Sequence, residues 1–483
     1  MPPGKITGQF QPASSKVASP PSTSSLAVSS NPVSSNPISS NEEGLRHQLT
    51  AGQMAMVAVG GSIGTGLLLG SAAAIKIAGP AVILSFVAAA FIAWTVTMAM
   101  GELASAHPAA GAFGVYGDLY LNPWAGFMAR ASYWSALSIS IGAEMVASAT
   151  YMTFWFPSVP AWVWVVIFAA FLLLINLRTV GEYGRFEFWF SMIKVAAIAA
   201  FIVVGATLLF TRRVVPQYTA HGGFFPNGYW SPLIAMTFAA YSFGGVEMVA
   251  ITSGESRSVK EIPRAVKLTV LILTLVYLGA IAVLVGVMSW NQAGVSESPF
   301  VTVLRTVGIP AASHIMNFVV LSAALSGSNG SLYSASRMLF SLARMGWAPA
   351  RIGQLNLAGS PRLALLISSF GILVALVLEK WVPGNAFVYI LSGAFTGLMI
   401  PWLVSLAAHI RFRKQLSPTQ LAALPMHSPL GTWGSVVGSL LVTAAIFQTW
   451  YSSHVGFVSG VVYLSALSAA YFVLRRIPKS RLS

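Results

Sequence analysis

The sequence predicts an all-α polytopic membrane protein of about twelve transmembrane helices, folded as a five-plus-five inverted repeat in which helices one and six are broken. Three observations predict it. First, hydrophobic residues fill 56% of the 483 positions and charged residues only 8%, with a mean hydropathy of +0.74; an ordinary soluble domain carries about 25% charge. The 27 basic and 12 acidic side chains cannot cover a water-facing surface for this length. Second, the apolar segments are continuous and rich in Leu, Ala and Val, each near the roughly 20 residues that cross about 30 Å of hydrocarbon. They lack the ten-residue alternation of a membrane β-barrel, so helices satisfy the backbone. Third, two spans five helices apart are interrupted by glycine. Soluble enzymes, nucleic-acid binders and disordered regulators are thereby excluded, although the isoelectric point is near 10.2. The absence of cysteine excludes disulfide scaffolds, zinc–cysteine sites, thiol nucleophiles and iron–sulfur clusters.

In chain order, residues 1–45 read as a disordered cytoplasmic tail, since Ser and Pro fill 19 of the first 40 positions and an SSNPV, SSNPI repeat recurs. It has no charged n-region followed by an apolar h-region, so the first membrane helix directs insertion. Spans follow at 51–77, 81–105, 124–154, 160–178 and 187–210, which with their flanks make a first repeat over 46–215. Spans at 230–254, 265–290, 313–342, 363–380 and 385–410 make a second repeat over 216–415. Two more, at 431–450 and 455–474, occupy 416–474, and residues 475–483 form a short basic tail.

Lysine and arginine set the orientation, because cytoplasmic loops retain them. With the N-terminus inside, only Lys76, Arg212, Arg213, Arg305 and Lys380 face out, and Lys194 lies within a span; every other basic residue is cytoplasmic, as are both termini. The net charge of +15 is then topology plus attraction to anionic lipid. The bilayer is the partner it requires, and nucleic acid is not.

The two interruptions are Gly60-Gly61-Ser62-Ile63-Gly64-Thr65-Gly66 and Tyr241-Ser242-Phe243-Gly244-Gly245-Val246-Glu247. An odd number of crossings between them inverts the second unit relative to the first, and broken helices at the midplane of such a repeat point to a substrate site. Unwinding exposes amide donors at the start of one half-helix and carbonyl acceptors at the end of the other, and a zwitterionic amino acid needs both. The amides of Ser62 to Gly66, with Ile63 and Gly64 between, and the Thr65 hydroxyl would hold the carboxylate, aided by the half-helix that begins near Leu67. Carbonyls of Phe238, Tyr241 and Gly244 would meet the ammonium. The competing reading is that small residues in membrane helices serve close packing.

Four ionisable residues sit where each costs about 2.5 to 3.5 kcal/mol at mid-bilayer. Glu102, near the inner end of the second span, is either part of a cytoplasmic gate or a loop anchor. Glu144, in the third, either faces the substrate chamber or bonds a neighbouring helix. Lys194 lies roughly 10 Å into the fifth span at 1.5 Å per residue; it either releases a proton on burial or snorkels to the interface. Glu247 follows the second break, where its protonation could control packing of the half-helix, or where it simply caps it. The pocket is expected to be walled by Ala143, Ala147, Tyr241, Ser242, Asn329, Ser331 and Gly393, a neutral and partly small set.

These motifs, GGSIGTGLLLG at 60–70, GELASAHPAAGAF at 101–113, EFWFSMIKV at 187–195, YSFGGVEMVAITSGES at 241–256, IPRAV at 262–266 and SASRMLFSLARMGWAP at 334–349, resemble those of amino acid permeases of the amino acid-polyamine-organocation superfamily. The likeness is to the bacterial branch with proline, aromatic amino acid, lysine and γ-aminobutyrate permeases, over about Leu45 to Arg476. It implies a LeuT-like core of ten helices plus two, and proton-coupled amino acid uptake. By this resemblance Tyr241 takes the place of an aromatic gate, Lys194 that of the helix-five lysine that stands where sodium sits in sodium-coupled relatives, Glu247 and Glu255 match acids implicated in transport, with Glu255 at a gate, and Asn329 and Ser331 line the side-chain pocket. The family's usual Gly-Ser-Phe reads Gly-Ala-Phe at Gly111 to Phe113.

The resulting expectation is a symporter in a bacterial inner membrane that carries a neutral amino acid with protons by alternating access. Lys194 is the first candidate for the proton site, with Glu247 and Glu144 behind it, and no metal or cofactor is called for. An exchanger and a non-transporting nutrient sensor on the same scaffold are the alternatives; a membrane enzyme finds no HExxH, His cluster or Ser-His-Asp set.

Overall fold

The computed structural model describes residues 49–109, 111–178, 183–356, 360–382, 385–452 and 454–476. The Ser/Pro-rich tail over 1–45 and residues 477–483 of the basic tail lie outside the described residues. The described chain is helical, with no strand and one isolated bridge between Leu49 and Ser256. Its helices are α1 (Ala51–Ser62), α2 (Thr65–Leu68), α3 (Gly70–Ala78), α4 (Val82–Ala106), α5 (Ala112–Tyr120), α6 (Pro123–Thr153), α7 (Ala161–Arg178), α8 (Tyr183–Phe210), α9 (Ser231–Ile234), α10 (Met236–Ser242), α11 (Met248–Ile251), α12 (Glu261–Val287), α13 (Pro299–Thr306), α14 (Pro310–Arg344), α15 (Arg362–Ser368), α16 (Phe370–Trp381), α17 (Ala386–Gln415), α18 (Pro418–Ala422), α19 (Gly431–Ser452) and α20 (His454–Arg476). Among the described residues, eight helical segments are long and apolar enough to cross a membrane.

Local chemistry explains where these helices start and stop. Thr50 and Gln53 form a capping box at α1, each side chain satisfying a backbone amide of the other. Asn122 accepts from the Ala125 amide and Pro123 occupies the first helical position, which starts α6. The apolar stretch at 51–77 is divided at Ile63–Gly64 and again at Leu69, and the stretch at 230–254 becomes α9, α10, α11 and a 3₁₀ turn at Thr252–Glu255. The stretch at 363–380 is also divided, at Ser369, between α15 and α16. Composition alone hides that division, because every residue around it is apolar or small.

The long helix α6 runs through the middle of the bundle, packed along α14 and α17; α4 and α12 pack on one another, and α1 lies against α12 and α8. Outward-facing side chains are apolar, among them Trp189 and Val203 on α8, Leu440 and Phe447 on α19, and Val462 and Phe472 on α20. An apolar belt of that extent is stable in hydrocarbon and costly in water. The connection between α4 and α6 carries α5, where the Tyr120 hydroxyl meets His107 Nε2 at 2.5 Å. Burial lowers the pKa of His107 and pushes the Tyr120 phenol up to about 12, so a protonated phenol donates to a neutral imidazole.

Candidate functional site

The two helix breaks meet backbone to backbone. In the first, the Ile63 amide donates to the Val59 carbonyl at 2.8 Å, and the Gly64 amide turns back to the Ser62 carbonyl at 2.9 Å. Gly64 is extended, with φ −129° and ψ −158°. The carbonyl of Gly60, which the Gly64 amide would take in an unbroken helix, instead accepts from Lys194 Nζ at 3.0 Å. In the second break the Gly244 amide donates to the Tyr241 carbonyl at 2.9 Å. Gly245 follows with φ +110°, and a Cβ there would lie 2.6 Å from both Gly61 C and Ser62 N. Both the left-handed conformation and the close approach require glycine.

Around this crossing lies a small cavity of about 40 Å³. Gly61, Ser62, Gly64 and Gly66 line it from the first break, and Tyr241, Gly244, Gly245, Glu247 and Met248 from the second. Tyr133, Leu137, Ser140 and Glu144 of α6, Glu187 of α8, Ser326, Gly327, Gly330 and Ser331 of α14, and Leu398 of α17 complete the wall.

Its charged groups are held in different ways. Lys194, 1% exposed, donates to the Gly60 carbonyl and to Ser326 Oγ at 3.1 Å, and stands 3.6 Å from Glu187 Oε1. The Ser326 hydroxyl in turn reaches Glu187 Oε2 at 2.8 Å. Burial of an ion pair is tolerable only with such supplementary hydrogen bonds. Glu247 accepts from its near neighbour, the Gly245 amide, at 3.0 Å and from the Trp402 indole at 3.1 Å. Glu144 Oε1 accepts from the Thr65 amide at 3.4 Å, while its Oε2 has no hydrogen-bond partner among the described residues. Tyr241 Oη donates to Ser140 Oγ at 3.0 Å.

Of the residues singled out in the sequence, Ser62, Gly64, Gly66, Glu144, Tyr241, Gly244, Glu247 and Ser331 line this cavity, and Lys194 sits behind Glu187 and Ser326. Ile63 and Thr65 are fully buried beside it. The Phe238 carbonyl is taken by the Ser242 hydroxyl at 2.8 Å, and the Ser242 carbonyl by Tyr277. Asn329 Oδ1 accepts from Asn176 of α7 at 2.6 Å, away from the cavity. Ala143 and Ala147 are buried but are not among the lining residues, and Gly393 is exposed with open space where a Cβ would project. Glu102 is engaged at the far end of α4 by Arg413, His409 and the Ser428 amide. Glu255 ends the 3₁₀ turn, and its carbonyl accepts from the Leu49 amide at 3.0 Å.

Sequence reasoning missed Glu187, Tyr277, Trp402, Ser140 and Ser326 as parts of the site. Glu187 had a usable signal: it precedes Lys194 by seven residues, two helical turns, and so shares its face. The others carry no pattern that separates them from ordinary polar residues in a membrane helix.

Comparison with known proteins adds the following. The amino acid permease family model matches residues 53–476. The chain is 34% identical over 438 residues to an uncharacterized amino acid permease of Bacillus subtilis strain 168, covering 89% of this chain and 95% of that one. It is 34% identical over 440 residues to the γ-aminobutyric acid permease of the same organism, covering 88% and 94%. It is 35% identical over 401 residues to the aromatic amino acid transport protein of Escherichia coli K12, covering 81% and 87%.

Proposed function

Since the chain belongs to the amino acid permease family, a multi-pass membrane family of amino acid transporters, we propose that it is a proton-coupled symporter that brings a neutral amino acid into the cell. The observation that carries this reading is the crossing of the two broken helices at Gly245 and Gly61–Ser62, where residues of both breaks line one cavity. In this reading ten of twelve spans form two inverted repeats, over 46–215 and 216–415, two more follow at 416–474, and both termini lie in the cytoplasm of a bacterial cell. The substrate lies between the breaks, its carboxylate toward the amides of the first and its ammonium toward the carbonyls of the second.

Neutral substrates are favoured because most of the charged wall is already balanced or occupied, Glu144 alone among the described lining acids keeping an unpartnered oxygen. Glu187 faces Lys194, Glu247 is held by Gly245 and Trp402, and no arginine lines the cavity to receive an acidic side chain. Lys194 is the proton carrier in this scheme. Its ammonium bridges the Gly60 carbonyl beside the break to α8 and α14, so losing its proton would loosen α1 from both. Closing of the bundle around substrate and its reopening inward then follow as rocking of one repeat against the other.

The test is uptake of each of the twenty tritiated L-amino acids into proteoliposomes with and without an imposed inward pH gradient. A symporter accumulates its substrate only with the gradient. Accumulation that instead requires amino acid trapped inside identifies an exchanger, and undiminished gradient-driven uptake by Lys194→Ala removes the lysine from the coupling step.

A further inference from the structure

The first break does not present a vacant anion site. Glu144 of α6 reaches across and places its carboxylate there: Oε1 accepts from the Thr65 amide at 3.4 Å and lies 2.9 Å from where a Cβ on Gly64 would stand. On the other side the same carboxylate packs against Gly327 of α14, where a Cβ would come within 3.3 Å of it. A glycine on each flanking helix leaves just the room a carboxylate needs. The group is 7% exposed, its Oε2 has no hydrogen-bond partner among the described residues, and it lines the cavity. Among the described residues no arginine or lysine forms a hydrogen bond or ion pair with it; Lys194 acts on it through space alone.

We infer that Glu144 is a tethered competitor for the amino acid's carboxylate, a group of the protein that holds the amide of the helix break until a substrate carboxylate displaces it. The inference rests on the proposed placement of the substrate carboxylate at the first break. Its physical basis is simple. The Thr65 amide at the break donates to one carboxylate, and two carboxylates on the same amide repel one another at close range in a medium of low dielectric. Substrate binding and withdrawal of Glu144 are therefore one event. The side chain sets which ligands succeed, because a ligand without a carboxylate has nothing with which to displace it at that amide.

A group that competes and a group that binds predict opposite signs when removed. The experiment is equilibrium binding to the full-length protein in detergent, with the twenty tritiated L-amino acids tested singly and the best of them compared with its decarboxylated amine as an unlabelled competitor. Glu144→Ala is expected to bind that amino acid about tenfold more tightly than the wild type, the amount expected from one lost charge-assisted hydrogen bond in competition, with the amine unchanged. Glu144→Gln, which keeps an acceptor without the charge and the same shape, is expected to shift in the same direction by about threefold and serves if the alanine variant does not fold. Unchanged or weaker binding of the amino acid by both variants overturns the inference, and a parallel loss for amino acid and amine assigns Glu144 to the ammonium instead. If the wild type binds the amine as tightly as the amino acid, the placement of the carboxylate at the first break is what fails, whatever the Glu144 variants do.

Discussion

The Tyr277 hydroxyl lies 2.6 Å from the carbonyl oxygen of Ser62, at the end of α1, and its oxygen is also 2.8 Å from the carbonyl of Ser242 at the end of α10. One fully buried phenol on α12 thus serves the exposed carbonyl ends of both broken helices. Its single proton is shared between two acceptors, which ties the breaks to each other as well as to α12.

Replacing Tyr277 by Phe is expected to cost on the order of 1 to 3 kcal/mol, because the buried Ser242 carbonyl loses its donor and the Ser62 carbonyl keeps only the Gly64 amide. Thermal unfolding of the detergent-solubilised variant checks this. An unchanged melting temperature would mean that other donors satisfy Ser62 and Ser242, and that the tie between the breaks lies elsewhere.

The Lys194–Glu187 pair makes a prediction about a double substitution. Glu187→Gln alone strands an ammonium whose remaining partners are a carbonyl and a hydroxyl, so it is expected to destabilise the protein by several kcal/mol. Glu187→Gln combined with Lys194→Met removes both charges and is expected to recover most of that loss. Melting temperatures of the two single variants and the double variant decide it; additive losses would show that the two side chains are not energetically paired.

The parts of this architecture that were legible in the sequence are those written as composition or local chain geometry. Spans such as 81–105 and 265–290 match α4 and α12 because a membrane helix announces itself by a long apolar run, and the two glycine interruptions announce the breaks. Whether those breaks belong to an inverted repeat is a matter of long-range arrangement, and it stays within the proposed function. Partners across helices were not legible. Nothing in the local sequence says that Glu144 lies against Gly64 and Gly327, that Trp402 donates to Glu247, or that Asn329 turns to Asn176. Those contacts depend on how α6, α14 and α17 rotate about their axes, and with nearly all faces apolar there is no amphipathic stripe to fix the rotation in advance.

Gly245→Ala is expected to prevent folding. Its φ of +110° strains any L side chain by about 1 to 3 kcal/mol, and the added methyl would sit 2.6 Å from the backbone of the first break. Gly393→Ala is the control: no atom lies within 4 Å of its Cβ position in the interior of α17, so it is expected to be neutral or slightly stabilising. The yield of monodisperse protein on size-exclusion chromatography separates the two.

The His107–Tyr120 contact predicts a pH dependence of stability. The folded state lowers the pKa of His107 below its ordinary value of 6.5, so it favours the neutral ring. Its contribution is complete above 6.5 and is lost as pH falls through the folded value. Melting temperatures recorded from pH 8 to pH 5 are expected to drop more for the wild type than for His107→Leu. Parallel curves would show that the imidazole is not the group being titrated.

Glu102 ties three elements together at one end of the bundle. Its Oε2 accepts from Arg413 Nη1 at 2.9 Å and from the Ser428 amide at 2.5 Å, and His409 Nε2 lies 3.4 Å from Oε1. Carboxylate and imidazole are both fully buried, so the α4 terminus, the last turns of α17 and the turn before α19 share one charge. Glu102→Gln removes that charge while Arg413 stays in place, and is expected to cost about 3 kcal/mol and to expose the 411–430 segment to trypsin at Arg411, Arg413 and Lys414. Faster cleavage there, with a lower melting temperature, assigns Glu102 to anchoring this loop. A variant that keeps wild-type stability and protection yet loses amino acid uptake would assign it to the inner gate instead, because only a group that acts during the opening cycle can matter to transport without mattering to the resting fold.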